Sequence, residues 1–290
     1  MEDIFTLSDR LQHEFDEPWS RARLIEDLPV WHKVWAACYA IGDTTLALGS
    51  YLKGPEDDEV GSLLLAVYGA FQALVIQQDA LSHLAEIVGL PYRRTDEIRQ
   101  IRELRVYVCG HPVESGWVKD NSRQYHSITQ VGLTRSRFTL GSDSEAPTPA
   151  EWREVELPKL IRLQFRHTIE TLNAILQNAK QSNLEALKGF VGSPLRGFVL
   201  DQCPEFADVE KQPDPALTAL NRKWDVLLAE FRLRGSDHMG GFRYDLERLS
   251  GWVGSKKPDS AFTSEVEKLL DTCGEIDADF ARQLRLAEAD

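Results

Sequence analysis

Cysteine is scarce in this 290-residue chain: Cys38, Cys109, Cys203 and Cys273 lie far apart, with no C-x-x-C among them. Zinc needs clustered thiolates or imidazoles, so a structural zinc site is not expected. Free and mostly buried thiols in a reducing compartment are expected instead. No uninterrupted apolar run reaches the roughly eighteen residues of a membrane span. The opening residues, MEDIFTLSDRLQHEFDE, are acidic and lack the basic-then-apolar order of a signal peptide. G-x-G-x-x-G, G-K-[ST] and G-x-S-x-G patterns are missing, which removes the usual phosphate-cradling loops and the serine-hydrolase elbow. There is no internal repeat and no low-complexity tract. A cytoplasmic protein with no cofactor, no metal and no membrane partner is the resulting expectation.

Positive charge is also in short supply. The net charge is −13, which argues against sequence-blind binding of nucleic acid by the surface at large. What basic charge there is gathers in one place. Residues 91–137 hold nine basic side chains against five acidic ones, so that segment carries +4 and the rest of the chain −17. Apolar residues at 42% and charged residues at 27% are otherwise the mix of a globular protein large enough to bury a core without staples.

The periodicity is mostly helical. Ser8 or Asp9 suits the start of a short N-terminal helix, interrupted near Pro18. Pro29 fits the first turn of a helix whose Trp31, Val34, Trp35, Cys38, Ile41 and Thr45 recur every three to four residues. From about Pro55 to Val88 the chain is apolar around much of the helical circumference, the pattern of a central buried bundle helix. Gly89 and Pro91 end it, and Thr95 or Asp96 can cap the next helix. YHSITQVGL and RFTLGS alternate on either side of a polar turn, predicting a β-hairpin at about 124–141. Thr148 and Pro149 then read as the start of a long helix reaching about Gly189, with a kink near Pro158. Residues 190–215, rich in Pro and Gly, mark the best boundary, and about three further helices follow at 215–234, 240–253 and 260–288. The expected organisation is an N-terminal helical segment (1–28), a helical bundle (29–190) and a C-terminal helical extension (191–290).

Chemistry concentrates in RELRVYVCGHP, residues 102–112. Ile98, Ile101, Leu104 and Val108 share one helical face while Arg102 and Arg105 lie on another, and His111 stands between the helix breakers Gly110 and Pro112. An arginine offers a fork of donors to phosphate oxygens, and an imidazole moves protons near neutral pH. Together they suffice for metal-free RNA cleavage. A base takes the 2′-OH proton, an acid protonates the leaving oxygen, and the guanidinium stabilises the charge added on phosphorus. Six residues on an ideal helix place the pair about 120° apart, so convergence requires the chain to leave α-helical geometry before His111.

The order of a long buried helix, a shorter helix ending in Arg105…Gly110-His111-Pro112, a hairpin and a final long helix resembles a HEPN domain over residues 30–190. The resemblance implies an all-α bundle that homodimerises so that the Arg–His motifs of two subunits face each other. It further implies a metal-independent endoribonuclease of toxin–antitoxin or phage-defence type, with Arg105 and His111 catalytic and Arg102 assisting. Arg99, Asp79 and His83 are the further candidates for substrate contact. One departure stands out: the polar residue that usually follows the arginine is Val106 here, and valine can neither bond a phosphate nor orient the histidine. That favours a second possibility, a catalytically degenerate binding or scaffold protein whose partner docks on 191–290. A third is a nucleotide-binding bundle with its ligand near Gln78, Asp79 and Arg105.

The remaining polar pairs have plainer readings. Asp79 and His83, one turn apart in the buried helix, read by default as a satisfied core hydrogen bond, though they could line a cleft beside Arg105. His83 with Glu86 and His167 with Glu170 read as solvated or interhelical pairs rather than metal ligands. RGSDHMGGFRY at 234–244 reads as a linker.

Overall fold

The computed structural model describes residues 2–16, 28–56, 58–110, 115–117, 123–144, 150–234, 248–255, 257–258 and 261–288. Its helices are α1 (Glu2–Asp16), α2 (Leu28–Lys53), α3 (Val60–Ile87), α4 (Asp96–Arg105), α5 (Leu157–Gly192), α6 (Leu195–Gln202), α7 (Pro213–Arg234) and α8 (Phe262–Ala287). A π-helical turn, Val106–Gly110, continues α4 directly, and a 3₁₀ turn, Pro204–Asp208, follows α6. The strands are β1 (Ser115–Trp117), β2 (Arg123–Thr129), β3 (Phe138–Ser144) and β4 (Glu151–Val155). The protein is thus mainly helical with one small antiparallel sheet. It divides into two compact units, 1–12 with 32–178 and 13–31 with 179–290, so the division falls within α5.

In the first unit, local signals set the helix ends. The Thr95 hydroxyl accepts the Ile98 amide at the start of α4. Gly89, at φ +72°, closes α3: the Leu90 amide reaches back to the Ala85 carbonyl and the Gly89 amide to Glu86. An L side chain rarely takes that conformation, so glycine belongs there. Ile98, Ile101, Leu104 and Val108 carry the buried face of α4 and its π turn onto Leu63, Val67, Phe71 and Leu74 of α3.

Two expectations about α3 need correction. By length and composition α3 is apolar enough to cross a membrane, but it is not buried all round. Ser62, Leu65, Gly69, Gln72, Ile76, His83 and Glu86 form an exposed stripe, with Leu65 74% exposed. Its apolar count exceeds what one core face consumes. The Asp79–His83 core hydrogen bond is likewise not formed: Asp79 bonds to an arginine, and exposed His83 lies 3.8 Å from Glu86.

The predicted hairpin is the centre of a larger sheet of order β1-β2-β3-β4, all antiparallel. β2 and β3 pair in the register His126↔Ser142 and Ile128↔Leu140. Residues 151–155, expected to open the long helix, are the edge strand β4. Val155 points inward opposite Phe138, while the Trp152 ring lies over Gly141, where any β-carbon would meet it at 2.8 Å. That close approach, and pairing with β3, overrides helical propensity here. The helix starts after Glu156 instead, so Pro158 sits in its first turn, where its missing amide costs nothing, rather than at a kink. Thr148 and Pro149 lie outside the described residues.

The turn between β2 and β3 is tied to the α2–α3 connection. Arg135 donates to the Pro55 carbonyl at 2.8 Å, its guanidinium covers the Tyr51 ring, and the Tyr51 hydroxyl donates to the Arg135 carbonyl at 2.6 Å. Ser136 completes the tie through Glu56.

In the second unit, several residues of the 190–215 stretch pack into the core. Leu195, Val199, Cys203, Phe206 and Val209 are buried against Leu220, Phe231, Phe262, Leu269 and Cys273. The Asp277 carboxylate accepts the Leu195 and Arg196 amides at 2.6 and 3.0 Å, neutralising the start of α6. All four cysteines are free; Cys38, Cys203 and Cys273 are buried and Cys109 half-buried.

Candidate functional site

The three arginines of α4 find three different partners. Three-residue steps advance about 300° on a helix, so the side chains fan across its exposed half. Arg99 turns back to Asp96 in the first turn of its own helix. Arg102 crosses to α3 and donates to Asp79 Oδ1 at 2.6 Å. Arg105 crosses to Gln72, donating from Nε and Nη2 to Oε1 at 3.3 and 3.1 Å. Gln72 and Asp79 are seven residues apart and so share one face of α3. The α3–α4 seam is therefore a line of polar contacts in which Arg102 is neutralised and Arg105 keeps its charge.

Beyond Arg105 the backbone widens into the π turn, Val106–Gly110, and so leaves α-helical geometry. Such turns recur at functional sites. Two neighbours hold this one. The Cys109 thiol donates to the Tyr68 carbonyl on α3 at 3.8 Å. The Tyr107 ring stacks on His126 of β2, with centroids 4.1 Å apart. Burial pushes the Cys109 thiol up to about 11 against the pull of Arg105, so it stays protonated and is no nucleophile at neutral pH. Burial also lowers the His126 pKa. Its Nδ1 lies 2.8 Å from the Ser142 hydroxyl, and its Nε2 is buried with no hydrogen-bond partner among the described residues. Val106 is 39% exposed on the outer side of the turn and presents only methyl groups. His111 and Pro112 lie outside the described residues.

At the other end of the seam is a group that the periodicity did not single out. Tyr92 and Arg94 leave α3 in the loop before α4, and Arg94 places its guanidinium 5.0 Å from the Tyr92 ring centre and 3.7 Å from Asp79 Oδ1. The Tyr92 hydroxyl lies 3.1 Å from His167 Nε2 on α5. Burial raises Tyr92 to about 12, eased by the nearby Arg94. Burial lowers His167, with Glu170 opposing and Arg94 adding to the shift. Both rings are thus neutral near pH 7. The available signal was the aromatic set among basics in PYRR, residues 91–94.

Other candidates stand elsewhere. Gln78 points into the core, where it donates to Gln164 Oε1 at 3.0 Å, and so does not join Asp79 and Arg105. His83 pairs with Glu86 on the surface. His167 belongs to Tyr92 rather than to a metal set, and no group of three metal-ligating side chains occurs among the described residues. No family model, no curated protein and no solved structure matches the chain.

Proposed function

We propose that the chain is a HEPN-like, metal-independent endoribonuclease, acting in the cytoplasm as a homodimer in a toxin or phage-defence setting. The observation that carries this reading is the partner of Arg105. An uncharged amide, Gln72, holds the guanidinium at the surface without cancelling its charge. A phosphate arriving there meets an oriented cation and displaces no carboxylate. The π turn starts at the next residue and redirects the chain ahead of His111, which in this reading donates and accepts the protons of transesterification. Arg105 stabilises the charge that develops on the phosphorane oxygens.

The experiment is cleavage of a mixed RNA pool in EDTA by the parent, by Arg105→Ala and by His111→Ala. Cutting by the parent with loss in both variants is expected. Equal cutting by parent and His111→Ala, or no cutting by a parent shown to be dimeric, sinks the reading. Val106 favours the second reading, a degenerate domain that binds RNA or a protein without cutting, because an exposed valine fills the position beside Arg105.

A further inference from the structure

We infer that Arg94 and Arg102, gathered around Asp79, form a second phosphate seat for an RNA backbone, and that Asp79 occupies this seat until RNA arrives. The inference rests on the RNA-directed reading above but not on cleavage. Two guanidiniums from different elements, a loop and α4, converge on a single carboxylate oxygen, at 3.7 and 2.6 Å. Two cations around one anion leave the cluster one positive charge in excess, within a chain whose net charge is −13. That excess matches a phosphodiester, which carries one negative charge, better than a dianionic phosphomonoester.

The seat is open to solute. The Arg94, Arg102 and Asp79 side chains remain 30%, 34% and 46% exposed. It is also held in place. Tyr92 lies under the Arg94 guanidinium, and His167 fixes the Tyr92 hydroxyl from α5. Arg94 Nε is buried and, among the described residues, has no hydrogen-bond partner. Arg102 lies one turn before Arg105 on α4, so an RNA strand following the seam would meet this seat and the Gln72-held arginine as successive cations. A phosphate entering the seat takes over donors that Asp79 now uses, and the carboxylate turns to water. Asp79 therefore competes with the ligand, opposite in sign to a residue that helps to bind it.

The test is fluorescence anisotropy of a labelled single-stranded 2′-O-methyl oligoribonucleotide. That probe lacks the attacking hydroxyl and stays whole whatever the catalytic state of the protein. Asp79→Asn is expected to bind it about fivefold more tightly, the scale of one partly exposed ion pair. Arg94→Gln and Arg102→Gln are expected to bind more weakly, each lowering the salt slope by about one. A methylphosphonate probe of the same sequence, with an uncharged backbone, should not respond to any of the three. Unchanged or weaker binding by a folded Asp79→Asn overturns the proposal, as does an unchanged salt slope in Arg94→Gln or a parent that binds neither probe. Should Asp79→Asn fail to fold, Arg94→Gln carries the same decision. Cleavage of unmodified RNA, run alongside, reads the Arg105–His111 proposal separately. A chain that binds with these signs and does not cut retains the phosphate seat and loses the nuclease.

Discussion

Arg102 and Arg105 are three residues apart on one helix, yet one meets a carboxylate and the other an amide. Packing of α4 on α3 gives the two arginines chemically different partners, and in the proposed reading Arg105, which meets no carboxylate, is the more available donor to a phosphate. Val106 is the residue most at odds with chemistry there. Being exposed, it tolerates exchange within about 0.5 kcal/mol of stability. Val106→Asn, which restores a polar neighbour, is expected to raise the initial rate of RNA cleavage without moving the unfolding midpoint. An unchanged rate would show that the valine is not what limits turnover. His126 and His167 behave differently because burial holds both below the ordinary imidazole value of 6.5. In the folded chain they stay neutral while the unfolded chain takes up protons. Their contribution to stability is therefore present above pH 6.5 and is lost as the pH falls below it. The thermal midpoint should drop between about pH 7.5 and about pH 5.5, and His126→Gln should show a smaller drop. An identical drop in both would assign the pH dependence to other groups.

Helices α2, α3 and α5 meet across polar as well as apolar side chains. Gln77 donates to the Thr45 hydroxyl at 3.0 Å, the Thr168 hydroxyl donates to Gln77 Oε1 at 2.9 Å, and Gln78 donates to Gln164 at 3.0 Å, all in the buried interior. Burying an amide is costly unless it is paired, so these bonds select the helix register that satisfies them. Gln78→Leu leaves the Gln164 carbonyl oxygen unmatched, at a cost of about 1–3 kcal/mol. Gln78→Leu/Gln164→Leu removes both ends of the bond and should cost less than the two single changes added together. A double-mutant cycle by denaturant unfolding measures the coupling, and strict additivity would contradict a direct buried bond.

Net charge and assembly govern how the chain meets a partner. Basic residues outnumber acidic ones within 91–137 while the rest of the chain carries −17, so the proposed RNA partner would be drawn to that segment. If two Arg–His motifs must face each other, specific activity per chain should fall on dilution through the dimer dissociation range, tracked by sedimentation velocity. Activity proportional to concentration through that range would place the whole site in one subunit. The outer side of α3 exposes Leu65, Tyr68 and Ile76, so part of the apolar content that gives this helix a membrane-span composition lies at the surface of the unit.

Helical class, the close of α3, the start of α4 and the gathering of basic charge were legible in the sequence because they depend on neighbours within a few positions. Gly89 closes a helix, Thr95 caps one, and Ile98, Ile101 and Leu104 share a face wherever the helix goes. The R-x5-H spacing was legible for the same reason, although His111 itself lies outside the described residues. Other features were set by partners distant in sequence. Residues 151–155 became a strand because β3 offered its free edge and Trp152 fitted over Gly141. Arg105 was assigned to Gln72 and Arg102 to Asp79 by the packing of α4 on α3, across sequence separations of 33 and 23 residues. Tyr92, Arg94 and His167 likewise became one cluster only when the loop before α4 reached α5, a contact spanning 75 residues that local periodicity does not encode.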